Sequence, residues 1–101
     1  MNINEKIQQQ LDASKVVLYM KGTRDFPQCG FSNRVIQILD EVGAVYMDIN
    51  ILEDDELRQG LKVFSNWPTF PQLYIKGELI GGCDIVTELY ENGELEALLV
   101  E

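Results

Sequence analysis

Apolar residues fall into short blocks along the chain, and their spacing changes from block to block. Ile3, Ile7 and Leu11 recur every four positions, which predicts an amphipathic helix over residues 3–13. Val16 to Met20 is an unbroken apolar run rich in β-branched residues, and it predicts a buried strand. Lys21-Gly22-Thr23 opens a loop that continues to Pro27 and Cys29. From Gly30 to Val42 a helical stripe returns at Val35, Leu39 and Val42, with Gly43 as the C-cap, and Val45 to Ile49 predicts a second strand.

Acidic residues at 53–56 suit the first turn of a helix, and Leu57, Leu61 and Phe64 give that helix an apolar face. Asn66-Trp67-Pro68-Thr69-Phe70-Pro71 cannot continue it, because two prolines forbid helix and restrict a strand to its first residue. Gln72 to Ile75 and Glu78 to Ile80 predict strands joined by a tight Lys76-Gly77 hairpin. Gly81-Gly82 leads into Cys83-Asp84 and a helix with Ile85 and Leu89 facing inward, and Asn92-Gly93 breaks it before a last short helix from Glu94. A β-α-β unit gives two parallel strands, and the closing hairpin adds two antiparallel ones. The expected architecture is therefore α/β: a thioredoxin-like fold with a four-stranded mixed sheet and helices on both faces, residues 1–101 forming one domain.

Composition narrows the chemistry. The 101 residues include two cysteines and no histidine, and 8 Lys plus Arg against 17 Asp plus Glu leave a net charge of −9. Without histidine, Ser-His-Asp and Cys-His sites and imidazole metal ligands are excluded. Two thiols are too few for a disulfide scaffold, or for a four-thiolate metal site closed by one chain. The charge argues against nonspecific nucleic-acid binding, and no apolar run approaches the ~20 residues of a membrane span. Met-Asn-Ile-Asn-Glu-Lys lacks the regions of a signal peptide, so the chain as given reads as cytoplasmic, with an organellar location after transit-peptide removal left open. Charge is uneven: −1 over residues 1–50 and −8 over 51–101, with the excess acid at predicted helix starts and in the tail to Glu101 as solvated faces. Against it stand Lys21, Arg24, Arg58 and Lys62.

Cys29 lies where the loop after the first strand meets a helix. Free backbone N–H groups and the helix dipole there favour the thiolate, and Lys21 and Arg24 nearby favour it further. The alternative, a small apolar core residue, fits poorly beside Gly30, Ser32 and Asn33. In Cys29-Gly30-Phe31-Ser32 a serine stands where a Cys-x-x-Cys site carries its resolving thiol, so the site can be capped by an external thiol but cannot complete a dithiol cycle. Cys83 is either a redox partner of Cys29 or a small residue at the start of a helix. Pro71, if its peptide bond is cis, turns the Phe70 main chain outward as an edge for a bound peptide, while two prolines also make a simple turn. Arg58 and Lys62, four apart on one helix face, form a site for a carboxylate or stand as solvated charges. Asp84 reads as an N-cap, or as a partner for an ammonium group.

Lys21-Gly22-Thr23, Pro27-Gln28-Cys29-Gly30-Phe31-Ser32, Trp67-Pro68-Thr69-Phe70-Pro71-Gln72 and Gly81-Gly82-Cys83-Asp84 resemble, in order and interval, the motif set of monothiol glutaredoxins of the CGFS type. The resemblance implies a cis proline at Pro71 and glutathione bound beside Cys29, with contacts from Lys21, Arg58, Phe70, Cys83 and Asp84 and with Thr69 lining the groove. It also implies iron-sulfur cluster handling. A 2Fe-2S cluster takes four thiolates. The implied site is therefore shared by a homodimer, with Cys29 of each protomer and two glutathione molecules as ligands, and the cluster passes to iron-sulfur acceptor proteins. A regulatory partner protein in place of the second protomer stays open. So do two other functions: a glutathione-dependent reductase of mixed disulfides through Cys29, and a redox switch with a Cys29-Cys83 disulfide.

Overall fold

Val16–Met20 forms the central strand, β1, and is buried along its whole length because different helices cover its two faces. Val16, Leu18 and Met20 point into one core and Val17 and Tyr19 into another, the period-two alternation of a strand. The computed structural model describes residues 2–100; Met1 and Glu101, the ends of the expected domain and acidic tail, lie outside them. β1 pairs in parallel with β2 (Met47–Asn50) and antiparallel with β3 (Gln72–Ile75). β3 pairs antiparallel with β4 (Glu78–Gly81), so the strand order is β2-β1-β3-β4.

Helices α1 (Ile3–Ala13) and α3 (Asp55–Ser65) cover one face through Ile7, Leu11, Leu57 and Leu61. The other face is covered by α2 (Gly30–Glu41), α4 (Cys83–Glu91) and α5 (Glu94–Val100), through Val35, Leu39, Val86 and Leu95. This is the thioredoxin-like mixed sheet that the element order predicts.

Some local expectations shift. The second strand begins at Met47, not Val45: Val45 is 89% exposed, and Tyr46 is drawn aside by Arg24, whose guanidinium donates to the Tyr46 carbonyl and lies 4.1 Å from its ring centroid. In α4 the fully buried residue is Val86, with Leu89 packed against the same core. Ile85 rests instead on Gly81, which sits at φ 147°, where an added Cβ would lie 2.8 Å from the Ile85 side chain. Phe64 shares the apolar stripe of α3 but stays 37% exposed in the last helical turn.

Nor is the acid at 53–56 all solvated surface. Asp54 is the N-cap of α3: its carboxylate accepts the Leu57 N–H at 3.0 Å and pairs with Lys6 of α1 at 2.5 Å. The Lys6 ammonium, with help from the Leu57 amide, holds the Asp54 carboxyl below its ordinary range. A carboxyl whose folded pKa is depressed adds stability that is present above its unfolded pKa, about 4, and is lost as pH falls through the folded value. Asp54→Ala should therefore lower unfolding free energy at neutral pH by roughly 1 kcal/mol. In urea melts the gap between variant and wild type should close as pH falls below about 4; a gap that does not change with pH would contradict this account.

Candidate functional site

Three connections meet at one end of the sheet: the loop from β1 to α2, the loop from α3 to β3, and the turn from β4 to α4. An open groove of about 530 Å³ lies between them. Lys21, Cys29 and Phe31 line it from the first connection, and Trp67, Thr69, Phe70 and Pro71 from the second. Gly82, Cys83 and Asp84 line it from the third, while Arg58 and Lys62 reach in from α3. The residues Lys21, Arg58, Thr69, Phe70, Cys83 and Asp84 are thus brought together around Cys29.

The first connection depends on Gly22. At φ 93°, a Cβ there would lie 2.5 Å from the Phe26 carbonyl oxygen and 2.7 Å from the Gln28 nitrogen, so only glycine fits. The close turn lets the Gln28 N–H donate to the Lys21 carbonyl at 2.9 Å. Two side chains of β2 then hold the loop. The Gly22 N–H donates to Asn50 Oδ1 at 2.9 Å, and the backbone N–H and Nε of Arg24 donate to Asp48 at 3.0 and 3.2 Å. Burial works against ionisation of Asp48, but these donors and the Arg24 charge hold its carboxyl below the ordinary range. The expectation that Arg24 stands beside the Cys29 thiolate is corrected accordingly: Arg24 is committed to Asp48 and Tyr46, and Lys21 is the cation that favours the thiolate.

Cys29 is the half-buried N-cap residue of α2. Burial pushes its thiol pKa up, but the backbone N–H groups of Ser32 and Phe31, the Ser32 hydroxyl and the Lys21 charge together hold it below the ordinary value. Ser32 is fully buried, and its Oγ also accepts the Lys21 N–H at 3.2 Å. The serine in the resolving position therefore fastens the end of β1 to the first turn of α2 while it supports the thiolate. Phe26 and Phe31, 75% and 63% exposed, stand on either side of Cys29 in the sequence.

On the opposite wall the Phe70–Pro71 peptide bond is cis. The Phe70 ring is buried in the core under α1 and α3, which leaves its main chain at the groove. Asp84 is not an N-cap: α4 begins at Cys83, and its N-cap, Gly82, makes no side-chain cap bond. Asp84 lies in the first turn, where the leading amides of α4 keep free donors. Cys83 and Cys29 are both free thiols.

Among the described residues, no group of three or more His, Cys, Asp or Glu could hold a metal ion, and no helix is long and apolar enough to cross a membrane. With no such group present among those residues, the Cys29 thiol fits an iron-sulfur cluster only as one member of a shared ligand set.

A sequence profile described as Glutaredoxin matches residues 16–80. The chain is 61% identical over 93 residues to a probable monothiol glutaredoxin 2 of Rickettsia typhi, a match covering 92% of this chain and 84% of that protein. Among solved structures it is similar to reduced apo GrxS14 of poplar, with 56% identity, a TM-score of 0.83 and coverage of 94% of this chain and 87% of that one. It is also similar to a buckwheat glutaredoxin–glutathione complex, with 30% identity, a TM-score of 0.87 and coverage of 97% and 87%.

In a Cys83→Ser background, Ser32→Ala and Lys21→Met should each move the pH midpoint of Cys29 alkylation by iodoacetamide upward. The shift in Ser32→Ala is partial, since the two backbone donors remain. A midpoint unchanged in both variants would mean that neither group supports the thiolate.

Proposed function

This chain belongs to the glutaredoxin family, as a monothiol member, and on that premise we propose that it binds glutathione in the groove and carries a 2Fe-2S cluster bridged between two protomers, for cluster assembly and transfer. One observation carries the reading: a single thiol of lowered pKa beside a groove with three cations, with a buried serine where a resolving thiol would stand. Each end of glutathione has a matching group. The glycine carboxylate suits Lys21, Arg58 and Lys62, and the peptide main chain suits the extended edge at Phe70. The γ-glutamyl carboxylate suits the leading amides of α4, beside Cys83, and its ammonium suits Asp84. Thr69 lines the same wall.

The cluster is cargo in this reading. One Cys29 and one glutathione thiol per protomer supply four thiolates. Lys21, Ser32 and the first amides of α2 favour the Cys29 thiolate for ligation, and the groove orients the external thiol beside it. Exposed Phe26 and Phe31 supply apolar surface for the second protomer or for an acceptor protein. Ligands held without a covalent link make the site labile, which suits delivery better than permanent storage. A reducing compartment such as the cytoplasm keeps both kinds of ligand as thiols.

The lowered thiol pKa favours a second reading, glutathione-dependent reduction of mixed disulfides. The Cys29 thiolate attacks the glutathionyl sulfur, a Cys29–glutathione disulfide forms as the target's disulfide breaks, and the target leaves as a thiolate. A second glutathione then resolves the adduct and is released as glutathione disulfide. Because Cys29 and Cys83 line one groove, a disulfide between them would block either use.

Anaerobic reconstitution with iron, sulfide and glutathione should produce cluster absorbance on a species of doubled mass. Both signals should vanish in Cys29→Ser and when glutathione is omitted. A stable cluster on a monomer without glutathione overturns the reading; turnover of a glutathione mixed disulfide at dithiol-glutaredoxin rates, with no cluster formed, selects the second.

A further inference from the structure

Beneath the groove wall is a polar side chain that the chemistry above does not use. Gln72, the first residue of β3, is fully buried, and apart from tyrosines Ser32 is the one other buried side chain with a polar group among the described residues. A buried amide is costly unless its donors and acceptor are satisfied. Here both functions are used. Nε2 donates to the carbonyls of Trp67 at 3.0 Å and Thr69 at 3.3 Å, and Oε1 accepts from the Tyr74 hydroxyl at 3.0 Å.

The partner is itself fixed. The Tyr74 ring meets Tyr19 edge-on at 5.5 Å, and the Tyr19 hydroxyl donates to Gln10 at 2.9 Å. From the α3 side, Ser65 Oγ accepts the Trp67 N–H at 3.1 Å and donates to the Leu61 carbonyl at 2.6 Å. Prolines at 68 and 71 have no N–H to offer, so residues 67–71 cannot build a hydrogen-bonded ladder of their own. Side chains from below hold this wall in place.

We propose that Gln72 is a positioning residue for the glutathione groove: by holding the Trp67 and Thr69 carbonyls, it sets the height at which the Thr69–Phe70 main chain faces a ligand. The proposal rests on the glutathione reading above. An amide is required at this position. Glutamate would offer no donor to two carbonyls, and methionine would remove both the donor to those carbonyls and the acceptor of the Tyr74 hydroxyl. Gln72 is not among the groove-lining residues, so its influence runs through the wall and is felt only by a ligand that uses the wall.

Two reactions of Cys29, followed in a Cys83→Ser background, separate positioning from general damage. With glutathione disulfide, the Cys29 thiolate attacks one sulfur, a Cys29–glutathione disulfide forms, and glutathione leaves as its thiolate. Iodoacetamide is small and neutral and needs no wall. Gln72→Glu and Gln72→Met should slow the first reaction roughly tenfold and leave the second unchanged within about a factor of two. Tyr74→Phe, which removes only the hydroxyl that orients Gln72, should fall between wild type and Gln72→Met. The emission of Trp67, the chain's one tryptophan, should shift in the same variants. Equal slowing of both reactions, or of neither, overturns the proposal. If the Gln72 variants do not fold, Tyr74→Phe decides: a selective loss supports the assignment and an unchanged ratio of the two rates refutes it. Should the wild-type protein react no faster with glutathione disulfide than with hydroxyethyl disulfide, the glutathione reading fails and the proposal with it, a result distinct from lost selectivity in the variants.

Discussion

The hydroxyl of Ser32 joins the last residues of β1 to the first turn of α2, and the geometry of the thiol site follows from that junction. Its oxygen accepts the Lys21 N–H, and the same side chain with its own amide stabilises the Cys29 thiolate. The position is fully buried, so whatever stands there must satisfy a backbone donor without solvent. A hydroxyl does this well, whereas a thiol is a weak acceptor. The serine is thus more than a missing cysteine. It converts what would be a second redox group into a fastening that fixes Lys21 and Cys29 relative to each other.

With that junction fixed, the electrostatics of the groove follow from topology as much as from side chains. β1 runs toward this end of the sheet, β3 starts from it and β4 returns to it. The helices that follow β1 and β4 therefore both direct their N-termini at the groove, and the dipoles of α2 and α4 add to Lys21, Arg58 and Lys62. Three of the five other cations are occupied elsewhere: Arg24 by Asp48, Lys6 by Asp54, and Lys15 by the Leu99 carbonyl. A net charge of −9 coexists with this cationic end because charges more than a Debye length away, about 8 Å at physiological salt, are largely screened.

What was legible in the sequence was what short-range chemistry decides. Val16 to Met20 reads as a buried strand because five apolar residues in a row suit a strand covered on both faces. The helices show in their apolar stripes, and Pro68 and Pro71 mark the break between α3 and β3. The site was legible through four motifs together, each weak alone. What stayed hidden depends on partners far along the chain. Arg24 cannot be removed from the thiolate's surroundings without knowing that Asp48 and the face of Tyr46 compete for it. Asp84 loses its capping role because the helix starts one residue earlier than an Asp N-cap requires. Ile85 and Val86 exchange places because Gly81 leaves room for the isoleucine over β4. Gln72 reads as an ordinary strand residue, since the carbonyls it serves precede it by only a few residues but belong to a loop without a periodic signature.

On the proposed reading the chain supplies one thiol and borrows its remaining ligands, and it meets a physical constraint that a closed metal site does not. An external ligand loses translational and rotational freedom each time it binds, so the protein surface must arrive already ordered if modest contacts are to hold it. The groove fits that requirement. Both of its walls are loops, yet neither is left to its own backbone: Asn50 and Asp48 of β2 hold the Cys29 loop, and Gln72 and Ser65 hold the Thr69–Phe70 loop. The anchors stand on strands or at a helix end, and the buried Ser32 and Gln72 side chains are committed to main-chain atoms of these two walls. Rigid elements thereby impose their order on the loops, and the lability expected of a cluster held by borrowed ligands comes from the ligands and not from the surface that receives them.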